Sequence, residues 1–177
     1  MISSVIKGRL GNQLFQIATA HSLSLDIRSQ AIFPTTVVGA SPTPSEKDNY
    51  RTNILRNIKY SDDLGQINQI WREPSFCFTE VPKIDNLLLD GYFQSERYFL
   101  HNKQDIKNLF SSTDAINQKV CSRGYDDNCV AIHVRRGDYV NLSHIHTNLA
   151  EHSNYYQDAV SMFPDHHKVI FSDDVEW

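Results

Sequence analysis

The residues best suited to chemistry fall between His133 and Asp138, where His-Val-Arg-Arg-Gly-Asp closes the apolar, β-branched run Val130 to Val134. A buried strand that ends in two arginines delivers fixed positive charge to its own carboxyl end, which is where open α/β sheets bind ligands. A guanidinium is planar, permanently charged and offers paired donors, so it suits two non-bridging phosphate oxygens better than a lysine ammonium does. Period-2 alternation puts His133 and Arg135 on one side of the strand and Val134 and Arg136 on the other, so the two arginines are expected to do different work. Arg135 is the candidate phosphate ligand. Arg136 is expected to pair with Asp138 or another carboxylate and to brace the turn that Gly137 permits. The plain alternative is a surface cluster of salt bridges beside a strand end.

Two further stretches could serve such a site. Gly8-Arg9-Leu10-Gly11-Asn12-Gln13 separates a short strand, Ser3 to Ile6, from an apolar-periodic helix containing Leu14, Phe15, Ile17, Ala18, Leu23 and Leu25. Glycines three apart let a backbone approach a ligand closely, and the amides at a helix start favour an anion. The stretch lacks the third glycine of a dinucleotide fingerprint and the Gly-Lys-Ser/Thr of a phosphate loop, so a tight turn needing positive φ is the competing account. The other stretch is a second apolar strand, Lys168 to Phe171, which closes in Ser172, Asp173 and Asp174. His144, His146, His152, His166 and His167 crowd the region after the arginines, but His-x-His in a loop with remote partners offers no rigid ligand face, and no metal is expected.

The elements that must position these residues alternate between strand and helix, which predicts an α/β protein. Ala31 to Val38 reads as a strand, and 39–49 as a surface loop. Asp62 and Asp63 read as the cap and first-turn acid of a short helix carrying Leu64, Ile67 and Ile70. Leu87 to Leu89 reads as a buried strand that runs into the aromatic segment Gly91 to Phe99, which opens a helix; its rings suit either a sugar site or simple packing. From Asn102 to Val120 the spacing is helical, with a break at Ser111 to Asp114. The polar connector Gly124 to Asn128 is expected to divide a domain of residues 1–125 from a β-α-β unit of residues 128–177, whose helix is Tyr155 to Met162. Runs such as Val130 to Val134 and Val169 to Phe171 are of the kind buried on both faces of a parallel sheet.

The bulk composition narrows the partners. A formal charge of −4 over 177 residues argues against a nucleic-acid protein held by general electrostatics, so the basic residues must act locally. Three cysteines, Cys77, Cys121 and Cys129, without Cys-x-x-Cys spacing, fit reduced, buried thiols. No 18-residue apolar run is present and Met1 to Lys7 reads as a strand, so a cytoplasmic protein with at most peripheral membrane association is the expectation.

Five segments together resemble the successive motifs of the family 11 α-1,2-fucosyltransferases: Gly8 to Gln16, Leu89 to Ser95, His133 to Val140, Tyr155-Tyr156, and Phe171 to Trp177. They span the chain in family order. The resemblance implies two Rossmann-like halves of the GT-B type, an acceptor-side first half and a donor-side second half that is incomplete after its β-α-β unit. Family members continue past Trp177 through a Ser/Thr-Phe-x-Trp-Trp-like segment. It also implies inverting transfer of L-fucose from GDP-fucose to a galactose-containing glycan acceptor, with no metal and no cofactor. By that resemblance Arg135 would hold the β-phosphate as the catalytic arginine, and His133, Arg136 and Asp138 would shape the donor pocket. Asp173 and Asp174 would lie near the nucleoside, and Gly8, Gly11, Asn12 and Gln13 would face the cleft.

Two readings of other classes compete. One is an incomplete, inactive form or a glycan- or nucleotide-binding module without turnover. The other is an adhesion ligand, because Arg136-Gly137-Asp138 spells a cell-binding tripeptide; such tripeptides work on exposed loop tips, and this one abuts a strand expected to be buried.

Overall fold

A computed structural model of the chain describes residues 1–39, 50–137, 140, 149, 153–174 and 176. The calls on Asp138, His144, His146 and His152 lie outside the described residues. The chain divides into two compact units, Met1–Thr113 and Asp114–Trp177, a division that falls ahead of the Gly124 to Asn128 connector.

The first unit is built on three short parallel strands, β1 (Ile2–Ser4), β2 (Gln69–Arg72) and β3 (Leu87–Asp90), in the order β1-β3-β2. β3 is central because its alternation buries Leu87 and Leu89 completely, and a doubly paired strand can afford no solvent on that face. The helix α1 (Leu10–Asp26) follows β1 and lays Ile17, Ala20 and Leu23 into the same core. Gly8 makes the change of direction possible: its φ is +76°, and a Cβ there would stand 2.5 Å from Asn12 Nδ2. Gln16, fully buried inside α1, accepts from Lys7 N–H at 3.0 Å and donates to Lys7 O at 3.1 Å, satisfying backbone the sheet leaves unpaired. After β3 come two 3₁₀ turns, Glu96–Tyr98 and Leu100–Asn102, the first capped by Ser95, whose side chain accepts from Arg97 N–H, and then α2 (Lys103–Leu109).

Two expected elements take another form. The segment from Ala31 to Val38 makes isolated parallel bridges, Ile2 with Ala31 and Lys7 with Val38, instead of a strand. Leu64 to Ile70 is not helical: Gly65 sits at φ +63° with its N–H on Asp63 Oδ1 at 2.7 Å, a turn that sends Ile70 into β2.

The second unit contains α3 (Asp114–Cys121), β4 (Cys129–Val134), α4 (Tyr155–Ser161) and β5 (His167–Ser172). β4 and β5 pair in parallel, from Cys129 opposite His167 to Val134 opposite Ser172. The strands are where the sequence placed them, but they are not buried on both faces. Among the described residues Val134 is the unit's one buried apolar side chain, and Ile170 and Phe171 are 66% and 49% exposed. The cysteines are free as expected, yet Cys77 and Cys121 are exposed and Cys129 half-buried, because none falls on an apolar face that the core covers.

Candidate functional site

In-register parallel pairing brings the carboxyl ends of β4 and β5 side by side, so Arg135 and Arg136 leave the sheet next to Asp173 and Asp174. The Arg136 N–H donates to Asp173 Oδ1 at 2.9 Å. The Arg136 Nε donates to Asp174 Oδ2, also at 2.9 Å, and the arginine side chain is only 11% exposed. Asp174 is itself fixed, its N–H donating to Ser172 Oγ at 3.0 Å. Arg136 therefore braces the turn through a carboxylate, and that carboxylate belongs to Asp174 on the neighbouring strand.

Gly137 serves the turn by its size. A Cβ on residue 137 would come within 2.4 Å of Asp173 Oδ2, and its φ is not among the positive values. The Asp173 carboxyl is held below the usual carboxylate range chiefly by the hydrogen bond from Arg136 N–H, against the opposing cost of desolvation, with weaker lowering from neighbouring backbone amides and the Arg135 charge. Arg135 is half-buried at the strand end, next to this anionic pair. His133 is exposed, and its carbonyl accepts from Tyr156 Oη at 3.1 Å, which ties β4 to α4. A groove of about 390 Å³ runs between these two elements, bordered by Val130, Ile132, His133, Tyr155, Tyr156 and Phe163.

In the first unit the glycine turn occupies the corresponding edge of its own sheet. Gln13 Nε2 donates to Gly8 O at 2.9 Å and Asn12 Oδ1 accepts from Gln94 Nε2 at 2.8 Å, so the turn after β1 is joined to the turn after β3. Among the described residues no side chain caps the start of α1, its first turn holds no acid, and Gly11 is exposed with nothing within 4 Å of an added Cβ. Those features leave the first amides of α1 open to an anion.

Sequence reasoning missed two residues at this edge. Glu73, immediately after β2, accepts from the N–H groups of Tyr92 and Phe93 through Oε2 at 2.7 and 3.0 Å. Asp90, at the end of β3, pairs with Lys7 at 2.8 Å and with Arg72 at 3.4 Å. The Lys7 hydrogen bond holds the Asp90 carboxyl below its ordinary value, outweighing the opposing effect of partial burial, with Arg72 contributing less. A usable signal existed: Glu73, Asp90 and Asp173 are all acids at or just past the end of a strand. A cavity of about 260 Å³, bounded by Asp26, Lys83, Arg97 and His101, lies against the later part of α1, and none of the candidate residues lines it.

Among the described residues no three His, Cys, Asp or Glu side chains gather as metal ligands would, and no helix is long and apolar enough to cross a membrane. Parallel strands that carry arginines, open helix amides and clamped turns to their carboxyl edges define an α/β protein suited to a small anionic ligand. The family is specific: the Glycosyl transferase family 11 pattern matches residues 6–177, and the chain belongs to that family of glycosyltransferases. It is 32% identical over 97 residues to an α-1,2-colitosyltransferase of Escherichia coli, covering 49% of this chain and 32% of that protein. Two galactoside 2-α-L-fucosyltransferases of Caenorhabditis elegans are 25% and 28% identical, over 78% and 100% of this chain and 38% and 53% of their own lengths. The chain thus spans about half or less of the length of these relatives. No solved structure matches it.

Proposed function

We propose that the chain serves an inverting transfer of L-fucose from GDP-fucose to a hydroxyl of a galactose-containing glycan, on a two-halved GT-B fold with the acceptor on the first unit and the donor on the second. The observation that carries this reading is the Arg135-Arg136 turn at the carboxyl edge of β4, held by Asp173 and Asp174, in a chain of family 11. In the transfer the acceptor oxygen forms a bond to the anomeric carbon as the bond to the β-phosphate oxygen breaks, and the acceptor proton leaves to a base. Negative charge grows on the departing GDP. Arg135 as phosphate ligand stabilises that charge more in the transition state than in the ground state, which is the condition for catalysis. An arginine in this role removes the need for a divalent ion or a cofactor, and such a soluble-substrate reaction suits the cytoplasm.

The test is transfer from GDP-fucose to lactose in excess EDTA. Fucosylated product under those conditions is expected; activity that vanishes with EDTA and returns with Mn²⁺ overturns the arginine mechanism. Arg135→Lys should weaken GDP binding by about 1.5 to 3 kcal/mol, because a point charge cannot reproduce paired hydrogen bonds. The match to the colitosyltransferase favours one second reading, in which the transferred sugar is colitose, and competition between the two nucleotide sugars decides it.

A further inference from the structure

We infer that Asp173 is a positioning residue for the donor diphosphate: it shapes the Arg135–Gly137 turn through backbone amides and makes no contact with the nucleoside. The inference rests on the donor assignment just given and changes the part that Asp173 plays in it. One carboxylate oxygen is bonded to the turn and the other lies against it. Oδ1 accepts from Arg136 N–H at 2.9 Å, and Oδ2 fills the space that any side chain at position 137 would need, 2.4 Å from an added Cβ.

The register explains why this acid and no other does it. Val134 pairs with Ser172, so Asp173 is the first residue of its strand's exit to lie beside the exit of β4. The backbone hydrogen fixed at 136 sets the direction in which residue 135 leaves the strand, and hence where its guanidinium is presented. Arg136 completes the frame. Its side chain, 11% exposed and bonded to Asp174, acts as an anchor. Asp174 in turn is seated on Ser172 Oγ. The four residues Ser172, Asp173, Asp174 and Arg136 thus form one clamp, and Gly137 is the gap that lets it close.

A nucleoside contact and a turn clamp give different patterns of ligand loss. Titration calorimetry of the chain with GDP and with inorganic diphosphate, for Asp173→Ala, Asp173→Asn and Gly137→Ala, separates them. A clamp predicts that Asp173→Ala weakens GDP and diphosphate by the same factor, roughly tenfold, the scale of losing a charge-assisted hydrogen bond. Asp173→Asn, which keeps an acceptor oxygen, loses less. Gly137→Ala, which pushes the carboxylate aside, reproduces the Asp173→Ala loss, and the double variant is no worse than either single one because both break the same element. Amide exchange at Arg136 and Gly137 should quicken in each variant, a readout independent of ligand.

Loss of GDP affinity with diphosphate affinity intact would show that Asp173 touches the nucleoside, and would overturn the clamp. Unchanged affinity for both ligands in Asp173→Ala would also overturn it, while leaving the fucosyl reading standing. A parent chain that binds neither GDP nor diphosphate defeats that reading and this inference together. If Asp173→Ala fails to fold, Gly137→Ala and Asp173→Asn carry the same comparison.

Discussion

The same device occurs in both units, in different surroundings. After β2, Glu73 accepts from two amides of the turn that follows β3; after β5, Asp173 accepts from the Arg136 amide in the turn that follows β4. In each case a glycine leaves the room: a Cβ at Gly91 would stand 2.7 Å from Glu73 Oε2, and one at Gly137 would stand 2.4 Å from Asp173 Oδ2. The first turn is then sealed by apolar packing, since Phe93 is fully buried, stacks on Trp71 at 6.0 Å and meets Tyr98 edge-on at 5.4 Å. Among the described residues the second turn has Val134 alone as a buried apolar neighbour. A clamp backed by a core is scaffolding. One that stands on polar contacts has no apolar layer behind it among the described residues.

The contrast can be broken most sharply in the core. Phe93→Ala should destabilise the first unit by about 3 to 5 kcal/mol, whereas Ile170→Ala in the second should change stability by less than about 0.5 kcal/mol, both read from urea unfolding. Equal losses would mean that β5 is as well packed as β3. Next in size is the glycine pair. Gly91→Ala forces a methyl to within 2.5 Å of Glu73 Cβ and 2.8 Å of Phe93 Cζ, atoms that cannot swing aside, and about 1 to 3 kcal/mol should be lost. Gly137→Ala meets only a carboxylate end and should cost less stability than Gly91→Ala. A larger loss at Gly137 would make the second turn the more rigid of the two.

Acid offers a gentler probe. Burial pushes the His21 imidazole below its usual 6.5, against a weaker opposing pull from Asp105. A folded-state pKa below the unfolded one gives stability that is present above about pH 6.5 and lost as pH falls through the folded value, so the first unit should begin to weaken there. Asp90, lowered by Lys7, adds a second loss below about pH 4 by the same sign. In the second unit Asp173, held down by the Arg136 amide, adds to the later loss by the same sign. His21→Leu should remove the first step in a pH series of thermal unfolding, and survival of that step would assign it elsewhere. The smallest effect expected is from Glu73→Gln, about 1 kcal/mol or less, because the remaining oxygen still accepts from both amides.

How far the sequence could be read follows from the range of the forces involved. β3, β4 and β5 were legible because apolar runs of fixed length announce themselves locally, and the break before α3 because Ser111 to Asp114 carries its own cap chemistry. Leu64, Ile67 and Ile70 misled because three-residue spacing imitates a helix, while the Asp63 turn that prevents one lies in a single side-chain bond. Arg136 could be expected to find a carboxylate. That it would be Asp174 depends on strand register, which no local pattern encodes. Glu73 was invisible for the same reason: its partners are 19 and 20 residues away. Gly137 was legible as necessary but for the wrong cause, backbone freedom where the structure shows a need for space.

The separation of the clamp's halves along the chain also has a kinetic side. Arg136 and Asp173 are 37 residues apart, so the turn cannot acquire its final shape until β4 and β5 have found each other in register. Parallel pairing across such a loop is slow, because the entropy of closing it is lost before any contact compensates. The arginine turn is therefore among the last features of its unit to mature during folding, and a chain emerging from the ribosome cannot close it until Asp173 has been made.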